Sequence, residues 1–176
     1  MTQLKTAVGP DDHTQGPLDA PIVLLEYGDY ECPYCGEAYP ELKAVQKAMG
    51  DSLCFAFRNF PLGNAHPHAE RAAEFAEAAA TIGRFWEMHD ALYEHQDALE
   101  DAHLARYAKR LGFDDALIES ALSGAFATRI RRDFTGGVRS GVNGTPSLFI
   151  NGQRYDGPRD AHSLVALFRN VLANPR

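Results

Sequence analysis

The 176-residue sequence has few of the features that define several large classes of protein. Three cysteines are too few for a scaffold held together by disulfides. The 17 basic residues are outnumbered by 24 acidic ones, and a net charge of −7 argues against nucleic acid as a partner. No apolar run is long enough for a membrane span, and the first residues lack a signal-peptide core. We therefore expect a cytoplasmic protein without a membrane partner.

The spacing of apolar residues predicts an α/β protein. The runs "IVLLEY" (22–27) and "LCFAFRNF" (53–60) are typical of strands buried on both faces. Between them, Pro33 suits the first turn of a helix whose apolar residues recur at helical spacing up to Gly50. Pro40 lies inside this helix and is expected to kink it. A β-α-β order implies that the two strands are parallel.

Residues 65–141 are predicted to be almost wholly helical, with five helices. In the first of these, alanines form one face, while Glu70, Glu74 and Glu77 form another. Asp114 is a suitable cap for the fourth helix. The fifth is predicted to have an apolar stripe made of Phe126, Ile130, Phe134 and Val138.

Both ends of the chain have a different character. Residues 1–20 are rich in Gly, Pro and Asp and are predicted to form an irregular arm. Near the other end, "SLFINGQRY" (147–155) contains Asn151-Gly152, the strongest short-range signal for a β-hairpin. Asp160 is a suitable cap for a last helix.

The stretch "YECPYCGEAYP" (30–40) contains two of the three cysteines, Cys32 and Cys35. A Cys-x-x-Cys pair forms a structural disulfide, half of a zinc site or a redox pair. A reducing cytoplasm makes the structural disulfide the weakest of these alternatives. A zinc site needs two further ligands, and the sequence has no second Cys-x-x-Cys. A metal is therefore not expected.

The remaining histidines and the third cysteine have simple structural interpretations. His66 and His68 flank Pro67 at a predicted helix start, where they are expected to serve as caps. His89 lies within the apolar stripe of the next helix and is interpreted as core packing. Cys54, on an apolar strand, is interpreted as a small buried hydrophobic residue.

The position of the cysteine pair favours redox chemistry. Cys32 follows a buried strand and begins a helix, where unpaired N–H groups and the helix dipole favour negative charge. The pKa of its thiol should be lowered, so that more thiolate is present at neutral pH. Cys35 lies one helical turn further on and should be more deeply buried. We predict that Cys32 is an exposed nucleophile and that Cys35 resolves the mixed disulfide formed there.

The segments "LLEYGDYECPYCG" and "GVNGTPSLFING", together with the helical block between them, resemble DsbA-like thiol–disulfide oxidoreductases of the thioredoxin superfamily. The resemblance covers nearly the whole chain. It implies a thioredoxin fold made of residues 1–60 and 142–176, with a helical insertion at 61–141. It also implies that Pro146 is a cis-proline against the active-site cysteines. The backbone of Thr145, just before it, would then pair with an extended substrate.

The resemblance also implies a role for Glu26, six residues before Cys32. Thioredoxin-like proteins often have a buried acid at this position, which assists proton transfer to and from the second cysteine. Burial would raise the pKa of this carboxyl and make it an acid–base partner of Cys35. The alternative is a carboxylate that reaches solvent at a strand edge. The apolar character of "IVLLEY" favours the buried position.

The dipeptide between the cysteines, Pro33-Tyr34, is that of glutaredoxins, whereas the strongly oxidising members of the family have Pro-His. Tyr34 is expected to lie at the substrate-binding surface, but its side chain has no positive charge to stabilise a thiolate. We therefore expect a reduction potential of roughly −200 to −270 mV, in the span of glutaredoxins and thioredoxin. A protein of this potential in a reducing cytoplasm would act mainly as a reductase or isomerase.

The predicted function is thiol–disulfide exchange on protein or peptide substrates. No cofactor is expected, because the two sulfurs carry the chemistry. Glutathione or a thioredoxin-type reductant is the candidate electron donor. Two alternatives are a thioredoxin-like module that binds peptides without turnover and a glutathione-dependent transferase or isomerase. Retention of both cysteines argues against each of them.

Overall fold

The structure is a computed structural model that describes residues 2–174. Within this range it has five strands, seven α-helices and one short 3-10 helix (Gly50–Ser52) that follows α1, and the α/β class is confirmed. In chain order the elements are β1 (His13–Gln15), β2 (Ile22–Gly28), α1 (Pro33–Met49), β3 (Leu53–Asn59), α2 (Ala69–Ala80), α3 (Phe85–Glu94), α4 (Asp101–Arg110), α5 (Asp115–Leu122), α6 (Ala127–Arg139), β4 (Ser147–Ile150), β5 (Gln153–Tyr155) and α7 (Ala161–Ala173).

The strands form one sheet in the order β1-β3-β2-β4-β5. β2 and β3 are parallel, as the β-α-β order predicts, and the other neighbouring pairs are antiparallel. The hairpin turn at Asn151 and Gly152 is also confirmed, with φ angles of 48° and 80° that suit a two-residue turn. In the central strand, Glu26 lies between Phe57 of β3 and Leu148 of β4.

Helices cover both faces of the sheet. On one face, α1 and α7 pack against β2, β3 and β4 through a core that includes Leu24, Leu42, Phe55, Leu148 and Phe168. On the other face, residues such as Tyr27 and Phe149 form a smaller core with Phe134 of α6. A third core joins α2 to α5, and Cys32 and Cys35 belong to it. The cysteine pair therefore lies where the sheet meets the helical block.

The arm is more ordered than its composition predicts. His13–Gln15 forms a strand that pairs with β3. The sequence pattern did not predict this strand, because its residues are polar and show no apolar alternation. Arg58, which is buried, fixes the arm to the sheet. Its guanidinium donates two hydrogen bonds to Asp12, at 2.7 and 2.9 Å, and others to the carbonyl oxygens of Thr6 and Ala7.

The acidic face of α2 is not turned to solvent throughout, because Glu74 and Glu77 are buried. Each has a polar partner that offsets its burial. The Glu77 carboxylate lies 2.8 Å from the His13 ring and accepts a 2.7 Å hydrogen bond from Asn59. Glu74 accepts a hydrogen bond from the backbone N–H of Phe126.

The predicted apolar stripe of α6 is also partly wrong, because Val138 is exposed. The buried face of this helix consists of Ile130, Asp133 and Gly137. A Cβ atom at Gly137 would lie 2.8 Å from the Phe60 ring. The helix therefore approaches the sheet through this glycine, and the neighbouring Val138 faces solvent.

Replacing Arg58 should destabilise the protein more than any surface arginine does. Arg58→Met leaves the nearly buried Asp12 carboxylate without its cation, and we expect a loss of about 3–5 kcal/mol in the free energy of unfolding. Urea denaturation provides the measurement. The exposed Arg131→Met is the matched control and should change stability by less than about 0.5 kcal/mol. Equal effects of the two substitutions would contradict this account of the arm.

Candidate active site

The site forms where the carboxyl end of β2 meets the start of β4. Because Tyr27 pairs with Ser147, the segment just before β4 lies beside the turn that leads into α1. The Cys32 thiol donates a hydrogen bond to the carbonyl oxygen of Thr145, with a sulfur–oxygen distance of 3.5 Å. The Thr145–Pro146 peptide bond is cis. Residues 113 positions apart in the chain are thus in contact.

Cys32 is the N-cap of α1. Its pKa is lowered from 9.0 to about 5, first because the Cys35 thiol donates to its sulfur, although burial opposes the shift. Hydrogen bonds from Thr145 and from the backbone N–H groups of Cys35 and Tyr34 also stabilise the thiolate. The expected exposure is not found, because Cys32 is only 3% exposed. Thr145 and the core of the helical block cover it.

Thr145 interacts with Cys32 through two groups with opposite effects. Its carbonyl oxygen accepts from the thiol and so favours the protonated form. Its hydroxyl oxygen is buried and has no partner in the part of the chain that the structure describes. A hydroxyl can rotate to donate to a thiolate, which favours the ionised form. Of these two groups, it is the side chain of Thr145 that helps to lower the pKa of Cys32.

Cys35 has the opposite character. It is fully buried, which confirms that it is the less accessible cysteine of the pair. Burial raises the pKa of its thiol well above the ordinary value, and its hydrogen bond to Cys32 raises it further. Negative charge on Glu26 and on Cys32 acts in the same direction. At neutral pH the pair therefore consists of one thiolate and one thiol.

Glu26 lies on the α1 face of the sheet and is 2% exposed, so the strand-edge alternative is wrong. Burial raises its pKa to about 8, with a further contribution from charge on Cys32, while Arg159 acts in the opposite direction. Among residues 2–174, no group hydrogen-bonds to its Oε1 atom. A small cavity beside it is also lined by Gln46 and His89. A buried, unpaired carboxyl of this pKa is well suited to exchange protons near neutral pH.

The turn before Cys32 depends on Asp29, which the sequence analysis did not identify. Its backbone carbonyl accepts from the N–H of Cys32 at 3.2 Å. Its buried carboxylate accepts from the N–H groups of Glu31 and Leu62, both at 2.8 Å, and lies 2.7 Å from His66 Nδ1. An Asp that hydrogen-bonds two residues ahead is a known turn signal, and this signal was available in "GDYEC".

The two histidines beyond β3 are not caps. His66 pairs with Asp29, whereas Nδ1 of His68 lies 2.8 Å from the Glu31 carboxylate. α2 begins after His68 without any side-chain cap. The physical reason is that both rings are drawn to carboxylates of the turn before Cys32. Together they fix this turn to the segment that follows β3.

The interpretations of His89 and Cys54 as core residues are confirmed. His89 is 3% exposed, and burial lowers its pKa to about 3, so it is neutral and its Nδ1 atom accepts from the Tyr30 hydroxyl at 3.0 Å. Cys54 is fully buried on β3. Within residues 2–174, no three His, Cys, Asp or Glu side chains are grouped as metal ligands.

The comparisons with known proteins agree with this architecture. The family model described as thioredoxin matches residues 9–169, and the chain therefore belongs to the thioredoxin family. Among solved structures, oxidised BdbD from Bacillus subtilis is similar, with a TM-score of 0.79, 24% identity and 92% of each chain covered. Alpha-DsbA1 from Wolbachia pipientis has a TM-score of 0.82 at 18% identity, covering 94% of this chain and 93% of that one. The DsbA-like form of the thioredoxin fold is thus established.

Curated relatives with higher identity have a different kind of name. The protein named Na(+)/H(+) antiporter NhaA 3 from Salinispora tropica is 45% identical over 180 residues, which cover 100% of this chain and 27% of that protein. NhaA 1 from Salinispora arenicola is 44% identical, with the same coverage. The chain thus spans about a quarter of the length of these relatives. In residues 2–174, no helix is both long enough and apolar enough to cross a membrane.

The raised pKa of Glu26 predicts a pH-dependent loss of stability. Between about pH 4.5 and 8 the unfolded chain carries an ionised Glu26 while the folded, reduced protein keeps it protonated. Within this window, each rise of one pH unit therefore lowers the wild type's free energy of unfolding by about 1.4 kcal/mol. Glu26→Gln removes this penalty, so its stability relative to wild type should rise by several kcal/mol from about pH 4 to pH 8.

Urea denaturation of both reduced proteins at the two pH values measures this difference. The exposed Glu119→Gln is the matched control and should follow the wild type at both. A constant difference between Glu26→Gln and wild type across the window would show that Glu26 is ionised in the folded protein.

Proposed function

We propose that this chain catalyses thiol–disulfide exchange on protein or peptide substrates. The observation that carries the proposal is the contrast between the two thiols of the Cys-Pro-Tyr-Cys segment. The pKa of Cys32 is lowered to about 5, while that of Cys35 is raised by burial. An attacking thiolate and a retained second thiol are what a two-step exchange requires. A module that only binds peptides has no need of this difference.

In the reductive direction, the Cys32 thiolate attacks one sulfur of a substrate disulfide. A new sulfur–sulfur bond forms, the substrate bond breaks, and the released substrate sulfur leaves as a thiolate that takes a proton from solvent. Cys35 then loses its proton and attacks the Cys32 sulfur, which releases the second substrate thiolate. The substrate has gained two electrons, and the protein holds a Cys32–Cys35 disulfide.

Glu26 is the proposed proton acceptor for Cys35. In the free protein, charge on Cys32 contributes to its raised pKa. That charge disappears when Cys32 enters the mixed disulfide, so the pKa of Glu26 falls at the step that needs a base. The same carboxyl returns the proton when the reaction runs in reverse. Its position thus couples proton movement to the state of Cys32.

The proposed docking surface is the Thr145–Pro146 segment, with Tyr34 beside it. Thr145 is only partly buried and lies against Cys32, so an extended peptide that pairs with its backbone would bring a disulfide to the sulfur. Tyr34 is 62% exposed and provides an apolar ring at the entrance. This arrangement fits extended polypeptides, because it offers a strand-like backbone segment and an exposed aromatic ring beside the sulfur.

The proposed redox poise is moderate. A thiol pKa of about 5 lies between those of thioredoxin, about 7, and of the strong oxidant DsbA, about 3.5. Tyr34 adds no charge to the thiolate, which supports a potential within roughly −200 to −270 mV, and the lowered thiol pKa favours the less reducing end of this span. In a cytoplasmic setting, which is itself a proposal, the protein would act as a reductase or isomerase. Glutathione or a thioredoxin-type protein would be its electron donor.

Curated relatives favour one further candidate partner. Proteins that contain a segment 44–45% identical to this chain are named sodium/proton antiporters. We therefore include a membrane transporter among the candidate substrates, as a protein whose own cysteines would be kept reduced or oxidised. A Cys35→Ser variant that captures adducts from the membrane fraction of a cell extract would support this partner, and adducts found in the soluble fraction alone would support soluble partners.

Replacing the second cysteine should trap the substrates. Cys35→Ser leaves the Cys32 thiolate free to attack but removes the thiol that resolves the mixed disulfide. We expect Cys35→Ser to accumulate covalent adducts with cellular proteins that disappear on reduction, and to lose nearly all turnover in an insulin-reduction assay. Non-reducing electrophoresis followed by mass spectrometry identifies the partners.

Two controls define the result. Cys32→Ser should form no adducts, and Cys54→Ala should form adducts only to the extent that wild type does, because the thiol buried on β3 is not accessible to substrates and alanine leaves no unpaired hydroxyl there. A folded Cys35→Ser that forms no adducts would support the peptide-binding module instead. Turnover by Cys35→Ser that depends on glutathione would support the glutathione-dependent transferase.

A further inference from the structure

Gln96 follows α3 in the helical block. Two hydrogen bonds join it to the turn formed by residues 29–32, the nucleophile turn, which carries Cys32. The Nε2 atom of Gln96 donates to the carbonyl oxygen of Tyr30 at 2.8 Å and to that of Cys32 at 2.9 Å. One side-chain amide thus binds two backbone carbonyls of the segment that carries the reactive sulfur. None of the roles proposed above involves this residue.

The other end of the Gln96 amide lies against α1 at Gly36. A Cβ atom at Gly36 would be 2.0 Å from Gln96 Oε1 and 2.7 Å from its Cδ. The amide therefore occupies space that any larger residue at this position would take. Gly36 also donates its backbone N–H to the Cys32 carbonyl at 3.0 Å. The Cys32 carbonyl thus accepts from both Gln96 and Gly36, and the glycine makes room for the first of these donors.

These contacts matter for chemistry because a carbonyl oxygen carries partial negative charge. Those of Tyr30 and Cys32 belong to the same short segment as the Cys32 sulfur. An N–H donor placed on each of them offsets this charge and fixes the direction of the peptide dipoles. In a site nearly closed to water, such fixed dipoles act more strongly than they would in solvent.

We propose that Gln96 is a positioning residue of the active site, which ties the helical block to the nucleophile turn and keeps the Cys32 sulfur in its reactive, ionised form. This inference rests on the proposed function for its biological meaning. The groups that also face Cys32 are Glu26 on β2, Cys35 on α1, and His66 and Glu31 beside the turn. These remain unchanged when Gln96 is replaced.

The proposal predicts that replacing Gln96 shifts the redox equilibrium between the protein and glutathione. The protein dithiol and oxidised glutathione react to give the protein disulfide and two molecules of reduced glutathione, with two electrons passing to glutathione. Stabilisation of the Cys32 thiolate favours the dithiol side. Loss of the Gln96 contacts should therefore move the equilibrium toward the protein disulfide, by the same factor by which the acidity of Cys32 falls.

Two replacements of Gln96 test this. Gln96→Glu has nearly the same shape, but its carboxylate cannot donate and adds negative charge beside the turn. We expect the acid dissociation constant of Cys32 to fall about tenfold, and the glutathione equilibrium to shift by the same factor. Gln96→Ala removes the donor without adding charge and should cause a shift of roughly threefold in each. The pH dependence of thiolate ultraviolet absorbance and glutathione redox buffers are the two measurements.

Gln153→Glu is the matched control. Gln153 is exposed on β5, at the hairpin that lies at the other end of β2 from Cys32. Gln153→Glu makes the same chemical change at a position that does not contact the nucleophile turn. The acidity of Cys32 and the glutathione equilibrium should therefore equal those of the wild type.

A double-mutant cycle with Gly36 separates a direct effect of Gln96 on Cys32 from an effect on the stability of the fold. Gly36→Ala must displace the Gln96 side chain, so it should reproduce the lower acidity of Gln96→Ala. Alanine otherwise stabilises a helix relative to glycine by roughly 1 kcal/mol, an advantage that opposes any loss of folding. In the Gln96→Ala background, Gly36→Ala should have almost no further effect on Cys32, which gives a strongly non-additive cycle.

Several outcomes would overturn the proposal. One is that Gln96→Glu folds and that its Cys32 acidity and glutathione equilibrium stay within twofold of the wild type. Gln96 would then stabilise the structure without affecting the sulfur. Another is additive effects of Gly36→Ala and Gln96→Ala. The thiolate measurement needs no substrate. Wild type that fails to reduce insulin would therefore count against the proposed function alone, and the role of Gln96 would still be decided.

Discussion

The junction between the buried strand β2 and the N-terminus of α1 is the constraint on which the rest of the site depends. The strand is buried on both faces, so its one acidic side chain, Glu26, points into the protein core. The helix begins just after Cys32, its N-cap, and the backbone N–H groups of Tyr34 and Cys35 favour negative charge on the sulfur. Opposite electrostatic conditions are thus created at the two sides of one junction. Backbone dipoles favour charge on Cys32, and desolvation disfavours charge on Glu26 and Cys35.

The helical block is part of the active site rather than a separate attachment. Cys32 and Cys35 belong to the same apolar core as the residues of α2 to α5. The segment after β3 holds the nucleophile turn through His66, and the segment after α3 holds it through Gln96. Both contacts are hydrogen bonds to groups within four residues of Cys32. A displacement of the block would therefore change both the packing around the sulfur and its electrostatics.

Local sequence patterns predicted the framework of this protein but not the contacts that complete it. The strands, the helices and the cysteine pair follow from periodicity and from one short segment. His66 and Gln96 meet the turn that carries Cys32 only after folding, and their partners are a distant carboxylate and backbone carbonyls, which no spacing rule reveals. Asp29 is different, because its turn signal was present in the local sequence. The exposure of Cys32 was overestimated for the same reason, since Thr145 approaches from 113 positions away. The role of Glu26 was implied by the family resemblance, and its burial was predicted correctly from the apolar strand around it.

Three acidic groups, Glu26, Cys32 and Cys35, share one poorly hydrated site, and this explains why their roles differ. Placing three negative charges together in a low-dielectric region is unfavourable, so they cannot all ionise at neutral pH. Cys32 ionises most readily because it alone has hydrogen-bond donors from the helix start, from Thr145 and from Cys35. Its charge then helps keep the protons on the other two. In the proposed exchange, that restraint is lifted when Cys32 becomes bonded to a substrate, so Cys35 becomes easier to deprotonate at the step that requires its attack.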